Sequence, residues 1–277
     1  MTAMDDDIEI PGPAGPIGAI DWGGSGDPLL LVHGGGTNAA EWATLVPHLG
    51  GYRCLAFDLP GHGRTPAPVT LSYELWLQCT DAVIEHFALP RGRLALVGSS
   101  FGGALSVWYA GQRPGLRAVI GVDSARNAAP RPQPDPRTVD QWRADGRGWV
   151  GDQEVYEVRV SEWVAEGYPE QCARRAHVRL PDGRFEEAPT PEFLAALDAL
   201  GARAENPLID PAIFGRLNCP TLLLCANGGT AADIRDYVDS MPGRFPMASV
   251  TWMDGPHALN WHAPDLVAEQ TTSFLAG

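Results

Sequence analysis

The sequence has few basic residues for its size: 20 Lys and Arg stand against 34 Asp and Glu, and the 277-residue chain carries a net charge of −14. Nucleic acids and anionic lipid surfaces repel such a chain, so we expect neither as a partner. Its five cysteines are widely spaced and form no C-x-x-C or Cys/His ligand pattern. The sequence therefore indicates neither a disulfide framework nor a zinc site, and it points to no other metal or cofactor.

Long apolar runs are also missing, and none approaches the roughly 20 residues that a membrane-spanning helix needs. The first nine residues are acidic and lack an apolar segment, so we expect no signal peptide. These absences predict a cytoplasmic protein without a membrane segment. The content of 44% apolar and 19% charged residues is that of an ordinary globular protein. The length suffices for one α/β domain with an insertion or for two small domains.

Short apolar segments alternate with longer amphipathic segments along most of the chain. The apolar segments are predicted strands, at residues 8–10, 17–22, 29–32, 52–58, 93–97, 117–122, 221–225 and 249–253. The amphipathic segments are predicted helices, among them residues 41–49, 71–87 and 265–275. Strands that are apolar at nearly every position are buried on both faces, as in a parallel sheet. We therefore predict an α/β fold with a mostly parallel sheet and helices on both of its faces.

The alternation stops after Asp123 and resumes near residue 221. Residues 128–136 contain four prolines, and the chain up to about Asn206 shows helical patches, aromatic side chains and no strong strand pattern. This indicates an inserted helical cap over residues 125–206, on a core made of residues 1–124 and 207–277. The aromatic side chains of the cap fit two roles, packing within the cap or closing over a substrate.

Ser100 stands at the centre of a G-x-S-x-G pattern between a predicted strand and a predicted helix. Such a turn is a nucleophile elbow, which forces the serine into a strained conformation and raises its hydroxyl above the sheet edge. Gly98 and Gly102 fit this interpretation because strand and helix nearly touch there, and a Cβ at either position would clash. The flanking strand and helix are the context that this motif requires.

A serine hydroxyl is a weak nucleophile at neutral pH and needs a base. Among the seven histidines, His257 is the best candidate, because it directly follows the last predicted strand and can lean over the sheet towards the elbow. His33 and His62 lie in turns that also face this edge, where a structural hydrogen bond is the more common role.

Four segments together resemble the α/β-hydrolase family: His33-Gly34-Gly35-Gly36, the turn over residues 57–63, the Ser100 elbow and Gly255-Pro256-His257. The resemblance covers nearly the whole chain apart from the cap. It implies an eight-stranded, mostly parallel sheet. It also implies that the backbone N–H of Phe101 and that of Gly34 or Gly35 bind the oxyanion, and we favour Gly35.

In the position of the triad acid, this chain departs from the commonest pattern of the family. The turn after the strand at 221–225 carries no carboxylate until Asp233. Some family members take the acid from the end of the preceding strand, where this chain has Asp123. The order Ser100, Asp123, His257 then matches the Ser…Asp…His order of the family. We favour Asp123, with Asp233 as the alternative and a triad without an acid as the third possibility.

These residues predict a serine hydrolase that cleaves a small, fairly apolar ester or lactone through an acyl-enzyme. Its expected partner is a small-molecule substrate, and the sequence is compatible with a homo-oligomer. Three alternatives stay open. The elbow and the glycine run are also similar to those of hydrolases that break the C–C bond of a vinylogous diketone. The displaced acid and the aromatic cap also suit a lyase or cyclase, and the fold can serve as a non-catalytic receptor.

Overall fold

A computed structural model describes residues 7–125 and 135–277 of the protein. Most of the proline-rich stretch 128–136, and most of the acidic segment considered for a signal peptide, lie outside these residues. Within the two ranges, no helix has both the length and the hydropathy that crossing a bilayer requires. The division of the chain at residues 125 and 206 stays a prediction.

The strands are β1 (Asp7–Gly12), β2 (Gly15–Gly23), β3 (Pro28–Val32), β4 (Arg53–Phe57), β5 (Ala95–Ser99), β6 (Ala118–Val122), β7 (Val150–Gly151), β8 (His177–Arg179), β9 (Phe185–Glu187), β10 (Thr221–Gly228) and β11 (Ala248–Pro256). Among the described residues, eight of them form one sheet in the order β1-β2-β4-β3-β5-β6-β10-β11. The pairs β1–β2 and β2–β4 are antiparallel, and all later pairs are parallel. The predicted eight-stranded, mostly parallel sheet is confirmed.

The helices are α1 (Tyr73–His86), α2 (Ser100–Gln112), α3 (Val139–Ala144), α4 (Gln153–Ala165), α5 (Glu170–Arg175), α6 (Pro191–Gly201), α7 (Arg235–Asp239), α8 (Met241–Arg244), α9 (Leu259–His262) and α10 (Pro264–Ala276). Helix α1 begins where the Ser72 side chain accepts a hydrogen bond from the Leu75 N–H, which satisfies one free donor of its first turn. Helix α6 begins in the same way, with Thr190 as the cap and Pro191 at its first position.

Two hydrophobic cores lie on opposite faces of the sheet, because successive side chains of a strand point to opposite sides. In β3, Leu30 and Val32 belong to the core beneath α1 and α2. Leu29 and Leu31 belong to the other core, which also contains Leu259 of α9. Burial on both faces explains why the central strands are apolar at every position.

Two predictions about local structure were wrong. Residues 41–49 do not form an α-helix but two short 3₁₀ helices, Ala39–Thr44 and Val46–His48. Pro47 has no N–H to donate, so a continuous helix cannot run through it. The insertion between β6 and β10 contains a three-stranded antiparallel sheet in the order β7-β9-β8. Strands of two or three residues are too short to give a recognisable alternation of apolar and polar residues.

A buried ion pair joins the insertion to the core. The Arg175 guanidinium, in α5, is 1% exposed and donates to the fully buried Asp58 carboxylate, with Nε 2.9 Å from Oδ2. Asp58 directly follows β4 and also accepts hydrogen bonds from the backbone N–H groups of Ala39 and Arg64, each at 2.8 Å. Beside it, the Asn38 side-chain amide donates to the Cys172 carbonyl at 2.9 Å. We call the Arg175–Asp58 pair the joint.

Candidate active site

Ser100 is the first residue of α2 and directly follows β5, so it lies at the carboxyl end of a central strand. Its φ of +48° lies in the left-handed region that non-glycine residues rarely adopt. The turn is tight: a Cβ added at Gly98 would overlap the Gly102 backbone, and one at Gly102 would overlap the carbonyls of Val32 and His33. The predicted elbow geometry and the need for both glycines are therefore present.

The structure brings together the three side chains predicted to form a triad. The Nε2 atom of His257 lies 2.9 Å from the Ser100 Oγ, and its Nδ1 lies 2.5 Å from the Asp123 Oδ2. A carboxylate can only accept, so the imidazole donates from Nδ1 to Asp123 and accepts the Ser100 hydroxyl at Nε2. His257 follows β11 in the turn before α9, and its side chain is 42% exposed.

Asp123 directly follows β6, is almost fully buried, and has a φ of +45°. Its Oδ1 accepts from the Ala226 N–H at 3.0 Å, and its Oδ2 accepts from the Thr230 N–H at 2.9 Å. Burial alone would raise the pKa of Asp123, but the hydrogen bonds from His257, Thr230 and Ala226 outweigh it and hold the pKa below its ordinary value. The carboxylate therefore stays ionised beside the imidazole.

The alternative acid, Asp233, lies in the short 3₁₀ helix Ala232–Ile234, and the carboxylate that contacts His257 is that of Asp123. Thr230 was not predicted. It lies in the turn where the commonest family pattern has an acid and this chain has none. Both its N–H and its hydroxyl donate to the Asp123 carboxylate.

Hydrogen bonds to the Gly34 carbonyl oxygen hold the peptide between Gly34 and Gly35 in place. That oxygen accepts from His33 Nδ1 at 2.7 Å and lies 3.0 Å from the Thr37 hydroxyl. In a trans peptide the N–H points away from the carbonyl, so these contacts direct the Gly35 N–H to the opposite side. Within the described part of the chain, the Gly35 N–H makes no hydrogen bond.

Phe101 adjoins this peptide, since a Cβ added at Gly35 would lie 3.6 Å from the Phe101 Cβ. As the second residue of α2, Phe101 has an N–H that no earlier helical carbonyl can accept. The two N–H groups predicted to bind an oxyanion therefore belong to neighbouring residues beside Ser100.

Two buried, neutral histidines form hydrogen bonds in and beside the glycine run. His33 Nε2 accepts from the Leu59 N–H at 2.9 Å, and His62 Nε2 accepts from the Gly36 N–H at 3.3 Å. Both side chains are almost fully buried, and burial is the main reason why their pKa values fall, to about 4 for His62 and well below the ordinary value for His33. Their predicted structural role agrees with these contacts.

Glu41 is a second fully buried acid at this edge, and it was not predicted. It accepts from the Gly34 N–H at 3.2 Å and contacts the Thr37 hydroxyl at 2.5 Å. Burial raises the pKa of Glu41 to about 8, although hydrogen bonds from Thr37, Gly34 and Ser99 lower it in part. Its helical spacing gave no reliable signal, because residues 41 and 45 share a face in an α-helix but not in the 3₁₀ helix Ala39–Thr44.

A pocket of about 360 Å³ opens beside Gly35 and Phe101, between the core and the insertion. Its walls are mostly aromatic and aliphatic, and they include Tyr73 and Trp76 of α1, Trp142 of α3, and Leu197 and Gly201 of α6. The Trp76 ring meets the Phe101 ring edge to face at 5.3 Å between centroids. Within the described ranges, no three His, Cys, Asp or Glu side chains group as ligands for a metal ion.

Comparisons with known proteins identify relatives of this chain. The chain is 34% identical over 170 residues to 2-hydroxy-6-oxo-2,4-heptadienoate hydrolase of Pseudomonas putida. These aligned residues make up 54% of this chain and 60% of that protein. It is 37% identical over 103 residues to an esterase of Mycobacterium tuberculosis, covering 37% of this chain and 34% of that protein. The chain thus spans less than two thirds of the length of these curated relatives.

The fold also has solved counterparts. The crystal structure of E-2-(acetamidomethylene)succinate hydrolase superposes with a TM-score of 0.76, covers 98% of this chain and 99% of that chain, and is 19% identical in sequence. At that identity the likeness concerns the fold alone. The sequence model of the family described as alpha/beta hydrolase fold matches residues 27–264, so this chain belongs to the α/β hydrolase fold family.

Proposed function

We propose that this protein is a serine hydrolase that cleaves a small, fairly apolar ester or lactone, with Ser100, His257 and Asp123 as its triad. One observation carries the proposal: a single imidazole contacts the Ser100 hydroxyl through Nε2 at 2.9 Å and the Asp123 carboxylate through Nδ1 at 2.5 Å. This arrangement lets the imidazole accept the serine proton while its other nitrogen stays fixed in the required tautomer.

In the first half of the reaction, the Ser100 Oγ attacks the substrate carbonyl carbon and its proton passes to His257 Nε2. The resulting imidazolium is stabilised by the ionised Asp123. The carbonyl oxygen becomes an oxyanion, which accepts from the N–H groups of Gly35 and Phe101. The intermediate then collapses: the bond to the leaving oxygen breaks, His257 protonates that oxygen, and an acyl-Ser100 ester remains.

In the second half, a water molecule repeats the sequence. His257 takes a proton from the water as its oxygen attacks the acyl carbon, and a second oxyanion forms at the same two N–H groups. Collapse releases the carboxylic acid and returns the proton to the Ser100 Oγ. The cycle needs no cofactor because the imidazole supplies and accepts every proton.

The pocket beside Gly35 and Phe101 supports a substrate with an apolar acyl group. The leaving oxygen must lie near His257, which protonates it, so the acyl group extends to the other side of Ser100. The pocket lies on that other side, since Gly35 and Phe101 line it. A water molecule occupies about 30 Å³ in the liquid, so 360 Å³ holds roughly a dozen non-hydrogen atoms. Aromatic walls favour an aryl or branched acyl group of that size.

Intact-mass labelling with a fluorophosphonate tests the proposal. We expect one covalent adduct on the wild-type protein and none on Ser100→Ala, while the matched control Ser99→Ala, which removes the neighbouring buried hydroxyl, keeps the adduct. An unlabelled wild type, folded and given excess probe, would contradict an activated serine. The fold would then have to serve a binding, lyase or cyclase function.

A second candidate is hydrolysis of a carbon–carbon bond in a vinylogous diketone. The observation that favours it is the 34% identity to a hydrolase whose name specifies a 2-hydroxy-6-oxo-dienoate substrate. The same Ser100 and His257 would serve both reactions. Bleaching of a coloured dienol diketone without hydrolysis of aryl esters would favour this candidate, and the reverse result would favour the ester.

A further inference from the structure

Glu41 is a fully buried acid that the proposed catalytic cycle does not use. It lies in the 3₁₀ helix Ala39–Thr44, directly behind the glycine run. One glycine separates its carboxyl group from the nucleophile. A Cβ added at Gly34 would lie 3.7 Å from the Glu41 Oε2 on one side and 3.6 Å from the Ser100 Cβ on the other.

The single proton of the Thr37 hydroxyl couples this residue to the protonation state of Glu41, whose carboxyl group also accepts from the Gly34 N–H and the Ser99 hydroxyl. The Thr37 hydroxyl has one proton but lies near two acceptors, the Gly34 carbonyl oxygen at 3.0 Å and the Glu41 Oε2 at 2.5 Å. If Glu41 is protonated, it donates to the Thr37 Oγ1, and the Thr37 proton goes to the Gly34 carbonyl. If Glu41 is ionised, Thr37 turns its proton towards the carboxylate, and the Gly34 carbonyl loses that donor.

The Gly34 carbonyl matters because it belongs to the same peptide as the Gly35 N–H. Its donors are His33 Nδ1 at 2.7 Å, the Thr37 hydroxyl at 3.0 Å and, at the longer distance of 3.5 Å, the Thr37 backbone N–H. Together they set the direction in which the Gly35 N–H points. Loss of the Thr37 hydroxyl bond leaves this carbonyl with the His33 bond and only the longer bond from the Thr37 N–H, so the peptide is held less firmly. An ionised Glu41 would also place a negative charge close to the oxyanion of the reaction, where like charges repel.

We propose that Glu41 is a positioning residue, which in its protonated form holds Thr37 against the Gly34 carbonyl and so keeps the Gly35 N–H directed at the oxyanion. Loss of the Glu41 proton at alkaline pH then lowers the rate. This inference rests on the proposed function, because it assumes that Gly35 binds an oxyanion.

The surroundings of Glu41 agree with a neutral carboxyl group. Full burial raises the pKa of Glu41 to about 8 from an ordinary value of 4.5. The ionisable groups that interact with it are Cys172 and Tyr168, both on the insertion, and burial raises the pKa of each of these as well. All three groups are therefore neutral at neutral pH, and no cation among them favours an ionised Glu41.

The pH dependence of kcat/KM on an aryl ester tests this role. For the wild type we expect a fall above about pH 8 as Glu41 ionises. Glu41→Gln mimics the neutral acid, since its amide oxygen can accept from Gly34 and its NH₂ can donate to Thr37. We expect it to keep activity within about threefold at pH 7 and to lose the alkaline fall. Thr37→Val removes the link, and we expect roughly tenfold lower kcat at neutral pH, less than the loss of a whole oxyanion donor.

Glu187→Gln is the matched control, because Glu187 is also a buried acid with a raised pKa but lies in the insertion strand β9. It should keep the alkaline fall of the wild type. The proposal is overturned if Glu41→Gln retains that fall, or if this variant is folded and inactive at pH 7. Absence of any fluorophosphonate adduct on the wild type would instead overturn the proposed function itself.

Thermal unfolding gives a second measurement that needs no turnover. Between about pH 4.5 and pH 8, an unfolded chain has released the Glu41 proton while the folded protein still holds it. The free energy of unfolding therefore falls as pH rises through this window. Glu41→Gln removes this loss, so its melting temperature minus that of the wild type should grow from pH 5 to pH 8. A constant difference would show that Glu41 is ionised in the folded protein and would overturn the proposal.

Discussion

The two sides of the candidate site are held in place by different means. On the core side, Ser100 and Asp123 sit at strand ends in left-handed backbone conformations, and buried hydrogen bonds fix their surroundings. On the insertion side, the Trp142 ring is covered by the Arg137 guanidinium, 3.6 Å from its centroid, and an exposed ion pair joins Arg143 to Glu192. Exposed pairs of this kind contribute little to stability.

We infer that the core side carries out the reaction and that the insertion side selects the substrate. The proposed reacting groups must hold their positions to a fraction of an ångström, and they are attached to the sheet. The insertion contributes its part of the pocket wall from the helices α3 and α6, which pack through side chains. Changes on the core side should therefore affect every substrate alike. Changes on the insertion side should alter which substrates are accepted.

The largest effect is expected from Asp123→Asn. The amide keeps the shape of the side chain but removes the charge that stabilises the imidazolium and fixes its tautomer, so we expect kcat to fall about 10³- to 10⁴-fold for all esters. Steady-state kinetics on a series of aryl esters provide the measurement. Asp233→Asn is the control and should stay within about threefold of the wild type. A similar loss in both variants would contradict the assignment of Asp123.

Breaking the joint between the two sides should have the next largest effect. Arg175→Leu leaves the Asp58 carboxylate buried without its guanidinium, and loss of one partner of a buried pair costs about 3–5 kcal/mol of unfolding free energy. Chemical denaturation measures this loss. The neighbouring Arg174 is the matched control, because its side chain is 42% exposed and pairs with Glu170 at the surface. Arg174→Leu should change stability by less than about 1 kcal/mol.

The smallest effect, and the most selective, is expected from Gly201→Leu at the end of α6. Gly201 lines the pocket, and a Cβ added there would meet no atom within 4 Å, so we expect a larger side chain to be accommodated and to take up pocket space. We expect kcat/KM for a 3-phenylpropanoate ester to fall at least about tenfold while that for the acetate ester of the same alcohol is unchanged. Steric exclusion of one apolar group has effects of this size.

Gly243→Leu is the control for that substitution, because Gly243 lies in α8 with open space around it and does not line the pocket. In a second series, the acyl group is kept as acetate, the alcohol is varied, and kcat/KM is measured for each ester. If Gly201→Leu discriminated among alcohols rather than acyl groups, the pocket would hold the leaving group and the assignment of the two sides of Ser100 would be reversed.

Much of this site could be predicted because its residues follow strands that sequence patterns reveal. Ser100, Asp123 and His257 each come directly after an apolar segment, and the carboxyl ends of parallel strands meet at one edge of the sheet. Their separation along the chain was therefore no obstacle. The structure brings these three side chains together as expected, and the sheet order explains why.

What could not be predicted depends on contacts that leave no local pattern. Arg175 and Asp58 are 117 positions apart, and neither lies on a periodic element that points to the other. Glu41 lies in a segment with helical spacing, but Pro47 and the tight 3₁₀ turns change which residues face the glycine run. Backbone geometry, rather than residue type, decides that its carboxyl group meets Gly34 and Thr37.

The positive φ of Ser100 has a consequence for laboratory evolution of this protein. A non-glycine residue in that conformation costs roughly 1–3 kcal/mol, which glycine would not incur. A selection for heat resistance that ignores turnover would therefore favour Ser100→Gly, which relaxes the elbow while removing the proposed nucleophile. Variants of this protein enriched for stability should be screened for activity in the same round, because one of the positions that glycine would relax is the proposed nucleophile.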